Sequence, residues 1–368
     1  MFNKIYLFSH NDLDGYACNI VVDTFSTLPA LRNNGIKTYN TDYQNIDSLL
    51  SHTLETEVDP DRDLVIISDM SWNRSRQDIT NRLRRQRFLI VADHHKTSEW
   101  IGNEFEDVIE TEDEAHFDML RLSYTKDGDF CGSVILRHQL MRLNDYIVIQ
   151  CNQSFYNNIK RLDDFLNIVN DWDVDFGWSN GLDISSPEKL LFDDNIICPR
   201  MNLMCQFDNN LFCKRVKRFI MGNLMTINEV FDDGSFKDYI RRVSTELKNS
   251  LKYYHRMTIR SVDDRFYDTN TVLFTCRIGN TCDKSLLAYL AYNTLKKNNI
   301  TDYDCIAIWE VTKDTISLRY GQCDLDLSVV AKNSPLGGGG HRFAAGMHVD
   351  PSEMYRVVDY SNAYILTD

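Results

Sequence analysis

An aspartate and two histidines in a row, Asp93-His94-His95, follow the short run Arg87-Phe88-Leu89-Ile90-Val91. The run is apolar and partly β-branched, and it reads as a buried strand. An acid and two imidazoles where a strand stops are poor core material. They are a good start for a metal site, because they offer the oxygen and nitrogen donors that divalent cations take. Two other strand ends carry the same chemistry. Ile5-Tyr6-Leu7-Phe8 breaks into Ser9-His10-Asn11-Asp12-Leu13-Asp14-Gly15. In an extended turn, alternate residues such as His10, Asp12 and Asp14 point the same way, so one loop can present three ligands to one spot. An aspartate here could instead cap the helix that follows. Leu64-Val65-Ile66-Ile67 ends at Ser68-Asp69. Far along the chain, Asn170-Asp171-Trp172-Asp173-Val174-Asp175 is either a helix stop or the source of a last ligand, with Asp171 and Asp173 both candidates.

The elements that must position these groups alternate. Helices are expected over about Tyr16–Phe25, Ile46–Leu54 and Ser71–Gln86, with a weak strand near Lys37–Tyr39. Strand–helix alternation implies a parallel sheet with right-handed crossovers, in a doubly wound α/β domain. Ligands of such sheets bind outside the carboxyl ends of the strands, which is where the acids and imidazoles fall. Residues 104–129 read as loop plus a short helix. A helix over about Gly132–Leu143 carries His138 as a packing residue, and another covers about Leu162–Val169.

The expected organisation is a metal-binding domain over 1–178, a helical connector over 179–257 and a smaller α/β domain over 258–368, with the active site in the cleft between the domains. A helix from Ser235 to about His255, with Ile240, Val243, Leu247, Leu251 and Tyr254 on one stripe, leads into the second domain. There, strands are expected over Asn270–Thr275, Cys305–Trp309 and Thr315–Arg319, with a helix over Leu286–Leu295. The chain then reaches Gly337-Gly338-Gly339-Gly340-His341-Arg342-Phe343. Four glycines expose successive backbone N–H groups, and a helix starting after them would add its positive end, which together suggest an anion nest. His341 and Arg319 could supply side-chain donors. No Gly-Lys-Ser/Thr follows, so this is not a Walker A loop.

Composition limits the rest. The net charge of −14 argues against coating long duplex DNA by neutralising many phosphates. Of that charge, −12 lies in the first 255 residues; the last 113 hold 12 basic and 14 acidic side chains. Two basic patches run against the trend: Arg74, Arg76, Arg82, Arg84 and Arg85, and Lys214, Arg215, Lys217 and Arg218. Each is either a solvated helix face or a track for nucleic-acid phosphates. The ten cysteines are scattered with no C-x-x-C pair, as for reduced thiols in the cytoplasm. No apolar run approaches the ~18 residues of a membrane span, and no signal peptide is expected before the first strand.

Taken in order, these motifs resemble the DHH phosphoesterases that carry the DHH-associated C-terminal domain. That group includes RecJ-type single-strand exonucleases, nano-RNases and cyclic-dinucleotide phosphodiesterases. The first motif looks like His10-Asn11-Asp12-Leu13-Asp14-Gly15, the second like Asp69 and the third like Asp93-His94-His95. The fourth looks like Asp171 or Asp173, with Asp173 preferred, and the glycine ending matches Gly337 to His341. The wording around Asp93-His94-His95-Lys96-Thr97 looks most like a RecJ-related group of bacteria, archaea and their phages. The resemblance implies two-metal hydrolysis with two Mn²⁺ ions, Mg²⁺ being the other choice. Asp69 would bridge the metals; His10 and Asp12 would hold one, and Asp14, His94 and the fourth-motif aspartate the other. Asp93 would orient the adjacent imidazole, and His95 would contact the phosphoryl or leaving-group oxygen. Gly337, Gly338, Gly339, Gly340, His341 and Arg319 would bind the rest of the substrate. The implied substrates are single-stranded DNA or RNA, or short oligonucleotides, cut to mononucleotides. A small-nucleotide phosphoesterase, for cyclic or linear dinucleotides or 3′,5′-bisphosphate nucleotides, uses the same parts. A nucleotide sensor that kept the fold would be expected to have lost a ligand. The implied location is the cytoplasm, or a host's cytoplasm for a phage protein.

Overall fold

A computed structural model describes residues 2–28, 31, 34–95, 98–105, 120–124, 130–146, 153–174, 184–263, 268–276, 283–311, 313–321, 325–340, 342, 344–358 and 363–366. The chain forms two compact units. One comprises Met1–Asn180 with Met204–Asp232; the other comprises Gly181–Leu203 with Asp233–Asp368. The stretch 179–257, expected as a connector, is thus shared out between them.

The first unit alternates as expected: β1 (Ile5–His10), α1 (Leu13–Phe25), β2 (Ile36–Thr41), α2 (Ile46–Thr56), β3 (Leu64–Ser68), α3 (Gln77–Leu83), β4 (Phe88–Asp93), α4 (Trp100–Glu104) and β5 (Leu120–Tyr124). Two longer helices follow, α5 (Gly132–Tyr146) and α6 (Gln153–Asp173), and later α7 (Asn209–Ile220). The five strands lie in the order β2-β1-β3-β4-β5, and every neighbouring pair is parallel. β1, β3 and β4 are apolar on both faces because helices cover both. Tyr6, Phe8, Val65, Ile67, Leu89 and Val91 face a core completed by Leu50 and Leu54 of α2 and Ile79 and Leu83 of α3. On the other side α1 and α5 pack on one another, α1 against β1 and α5 against β4. The sheet is therefore doubly wound, and the order of strands reverses direction at β1 and β3, next to the residues of interest.

Several elements differ from the sequence reading. The helix expected from Ser71 starts only at Gln77. Asn73 takes its backbone hydrogen bond to Asp47 (2.9 Å), and its own side chain accepts from the Ser75 amide (3.0 Å), so local side-chain bonds compete with the helix ladder. Residues 120–124 form an edge strand inside what read as loop. The helix ending at Asp173 is 21 residues long, beginning at Gln153.

In the second unit, α8 (Gly234–Ser250) leads into β6 (Tyr253–Ile259), so the sheet begins before Thr258. β7 (Thr269–Cys276), α9 (Lys284–Lys297), β8 (Cys305–Glu310), β9 (Thr315–Arg319), β10 (Gly338–Gly340), β11 (Ala344–His348) and β12 (Tyr364–Ile365) follow. The strand order is β10-β11-β9-β8-β7-β6-β12, with only β7 and β8 parallel. The glycines do not open a helix; Gly338–Gly340 is an edge strand paired with β11. A Cβ on Gly338 would lie 2.3 Å from the Gly346 carbonyl oxygen, and one on Gly340 2.6 Å from that of Ala344. Gly338 and Gly340 must be glycine because two backbones approach closely there, while Gly339 faces open space; the helix start expected after the glycines is replaced by strand. Among the described residues, seven cysteines are free thiols, and no helix is long and apolar enough to cross a membrane. Cys151, Cys282 and Cys323 lie outside the described residues.

Candidate metal centre

The carboxyl ends of β1, β3 and β4 bring three ligand groups together, and Asp69 belongs to all three. Donor atoms of His10, Asp12 and Asp69 lie within 4.8 Å of one another, as do those of Asp14, Asp69, His94 and Asp173, and those of Asp69, Asp93, His94 and His95. His10 ends β1, and Asp93 ends β4 with His94 and His95 directly after it. Asp12 caps the helix and also belongs to one of the donor groups. Its Oδ1 caps α1 by accepting from the Gly15 amide (3.0 Å), and its Oδ2 lies 2.6 Å from His10 Nδ1. Gly15 must be glycine, because a Cβ there would fall 1.8 Å from the His10 carbonyl oxygen.

Asp69 leaves β3 with φ of 58°, left-handed backbone that an aspartate tolerates better than most residues, at a cost of order 1–3 kcal/mol. Its amide still bonds Ala92 O (2.9 Å). Gly132, at the start of α5, presses on it: a Cβ at Gly132 would lie 2.7 Å from Asp69 Cβ and 2.8 Å from its Cα and N. The next residue, Ser133, donates its amide to Asp14 Oδ1 (3.0 Å), so the positive end of α5 holds that carboxylate. Asp173 arrives on the last turn of α6, with Oδ2 3.2 Å from His94 Nε2; Asp69 Oδ1 is 3.4 Å from the same atom. Asp171, two residues away on the helix, faces another direction and is exposed, outside all three groups. His138 packs against Phe130, ring centroids 5.6 Å apart, and takes no part.

Asp93 sits behind the cluster and uses its oxygens for positioning. Oδ1 accepts from the His94 amide (2.9 Å) and lies 2.7 Å from His95 Nδ1; Oδ2 accepts from the Ser98 hydroxyl, whose oxygen lies 2.7 Å from Ser71 Oγ and can accept from it. Gly132, Ser133, Ser98 and Ser71 carried no sequence signal, since small residues outside a motif look like any others. Lys96 and Thr97 lie outside the described residues.

The residues fit a divalent cation. Asp14 and Asp69 are 1% and 2% exposed, and Oδ2 of each meets no hydrogen-bond donor among the described residues. Burial pushes the Asp69 carboxyl well above its ordinary range, and Asp14, Asp12 and Asp173 push it further. Burial and the charges of Asp14 and Asp12 do the same to Asp173. Such a group ionises fully only beside a positive charge, and these oxygen and nitrogen donors suit Mn²⁺ or Mg²⁺. His95 goes the other way. Burial opposes its charge, but the hydrogen bond and the charge of Asp93 outweigh this and bring its pKa up to about 9.

In the second unit, Arg319 ends β9 and Gly340 ends β10, both beside the start of β11. Arg319 donates from Nη1 to Leu318 O (2.8 Å), while its buried Nε meets no acceptor among the described residues. His341 lies outside the described residues. The two basic patches are partly matched already: Arg76 pairs with Asp78 (2.8 Å), Arg82 with Glu55 (3.5 Å) and Lys217 with Asp23, and Arg215 donates to the Asp232 carbonyl.

No family model matches the chain. A 3′,5′-cyclic-nucleotide phosphodiesterase of Helicobacter pylori is 22% identical over 369 residues, 94% of this chain and 93% of that protein. The structure is similar to that of exonuclease RecJ bound to manganese, with 13% identity over 97% of this chain and 90% of that one, and a TM-score of 0.50. It is equally similar, by TM-score and identity, to RecJ of Thermus thermophilus in complex with Mn²⁺, over 97% of this chain and 52% of that one. The fold is that of these RecJ structures, as the motif order implied.

Two outcomes follow from the geometry. Gly132→Ala should keep the fold by circular dichroism but weaken Mn²⁺ binding about tenfold or more in calorimetry, because Asp69 must move; an unchanged affinity would show that this contact does not hold it. In metal-free protein, the raised pKa of His95 adds stability that is present below about pH 6.5 and lost as pH rises through about 9. Urea melts in chelator across that window should show the loss, and Asp93→Asn should flatten it.

Proposed function

We propose that this chain is a metal-dependent phosphodiesterase that hydrolyses single-stranded nucleic acid or short oligonucleotides to mononucleotides in the cytoplasm. The observation that carries the reading is Asp69, which belongs both to a donor group with His10 and Asp12 and to one with Asp14, His94 and Asp173. That is the arrangement a pair of cations sharing one carboxylate requires. Two bound cations, Mn²⁺ by the resemblance, would neutralise charge on the phosphoryl oxygens and make a water acidic enough to ionise near neutral pH.

The chain's own residues do the rest. Asp12, Asp14, Asp69 and Asp173 fix positions, and the α5 amide of Ser133 keeps Asp14 from turning away. Asp93 and Ser98 hold His95 so that its ring contacts a phosphoryl or leaving-group oxygen and can give it a proton. Arg319, Gly337–Gly340 and His341 bind more distant phosphates; the exposed backbone of the glycine strand and the half-buried cation at the end of β9 support that role. Short substrates fit the net charge and the self-paired basic patches better than long ones. A second reading, a phosphoesterase for cyclic or other small nucleotides, is favoured by the relative's named activity over nearly the whole chain.

With Mn²⁺, labelled single-stranded DNA and RNA from dimers to long oligomers, run beside cyclic nucleotides, should yield mononucleotides from the linear substrates. Cleavage of cyclic nucleotides alone would select the second reading. Asp69→Asn should lower kcat by roughly a thousandfold or more, and near-normal turnover at saturating metal would overturn its role.

A further inference from the structure

One large side chain at the metal centre is not accounted for by ligation or packing. Tyr43 lies two residues beyond Thr41, the β2 residue in register with His10. Its ring centroid is 5.4 Å from that of His10 at an interplanar angle of 47°, and 6.2 Å from that of His95 at 84°. Nevertheless the residue is 48% exposed. It therefore stands at the mouth of the cluster, between an imidazole of the first motif and one of the third, with much of its surface turned to solvent.

The loop that carries it is fixed. Asp42 Oδ1 accepts from the Gln44 amide (3.0 Å), the Asn45 amide (3.0 Å) and Asn45 Nδ2 (2.8 Å), while Asp42 O accepts from the Ile46 amide (3.0 Å) as α2 begins. An aromatic side chain on a rigid turn loses little entropy when something stacks on it. A phosphate held by the cations carries its ester groups a few ångströms away, which is the reach of this ring. Aromatic rings stack on nucleobases of any sequence, whereas they offer nothing to a polyphosphate chain or a simple alkyl phosphate.

We propose that Tyr43 stacks on the nucleoside flanking the scissile phosphate and so confines the site to nucleotide-bearing diesters. This deepens the phosphodiesterase reading and rests on it. The competing role for the ring is a brace that keeps His10 in place, and substrates lacking one base separate the two. Three substrates are compared with Mn²⁺: a thymidine dinucleotide and its two analogues in which one thymine is replaced by hydrogen. Tyr43→Phe should retain activity, because the ring and not the hydroxyl does the stacking. Tyr43→Ala should lower kcat/KM about 10- to 100-fold on the dinucleotide and on one analogue. On the analogue that lacks the stacked base it should change kcat/KM by less than about twofold, the signature of direct coupling in a double-mutant cycle. Mn²⁺ affinity should be unchanged by calorimetry. An equal loss on all three substrates, or weakened Mn²⁺ binding, would make Tyr43 a brace and overturn the inference. Wild-type protein that cleaves none of the three would instead sink the phosphodiesterase reading, and this inference with it.

Discussion

Buried negative charge governs this molecule. Asp14, Asp69 and Asp173 crowd together with Asp12 close by, and the His94 imidazole and the Ser133 amide lie against them. Burial raises the pKa of Asp69 and Asp173, and the neighbouring carboxylates raise both further. Such a cluster is costly unless cations or protons neutralise it. The surrounding fold can be understood as what keeps the acids from relaxing apart. α5 offers its N-terminal amide to Asp14, Gly132 blocks movement of Asp69, and Gly15 lets α1 leave directly over His10.

The sheet makes this crowding possible. Strands buried on both faces are stiff, so their carboxyl ends are fixed points from which side chains can be aimed. Asp69 depends on this most, since it holds left-handed backbone directly after β3. Around the acids, Asp93 ties β4 to His94, His95 and Ser98, so one carboxylate sets the orientation of a whole turn. Residues that could hold a cation and the carboxylate that orients them thus lie side by side at a single strand end.

Positive charge elsewhere in the first unit is partly used within the fold. Several of the cations that could track a long strand already pair with neighbouring acids or carbonyls. In the second unit, the glycine run supplies exposed edge backbone rather than a helix end. Its N–H groups are therefore offered along a strand, beside Arg319, and any anion they recognise is met by individual amides without a helix dipole behind them.

Which side chains could carry the chemistry, and where along the strands they fall, was legible in the order of residues alone. Short apolar runs marked β1, β3 and β4 in the first sheet and β7, β8 and β9 in the second, and in the first sheet the acids and imidazoles stood visibly at their ends. Local pattern says nothing about distance between segments, however, so three features became visible in the folded chain alone. Asp173 rather than Asp171 reaches the cluster because a helix turns residues two apart to different sides. Edge strands β5 and β10 form because a neighbouring strand offers hydrogen bonds that their own sequences do not announce. Gly132, Ser133 and Ser98 matter because of what folding packs beside them. A ligand's identity is written in its side chain, whereas its neighbours are set by contacts between residues distant in the chain.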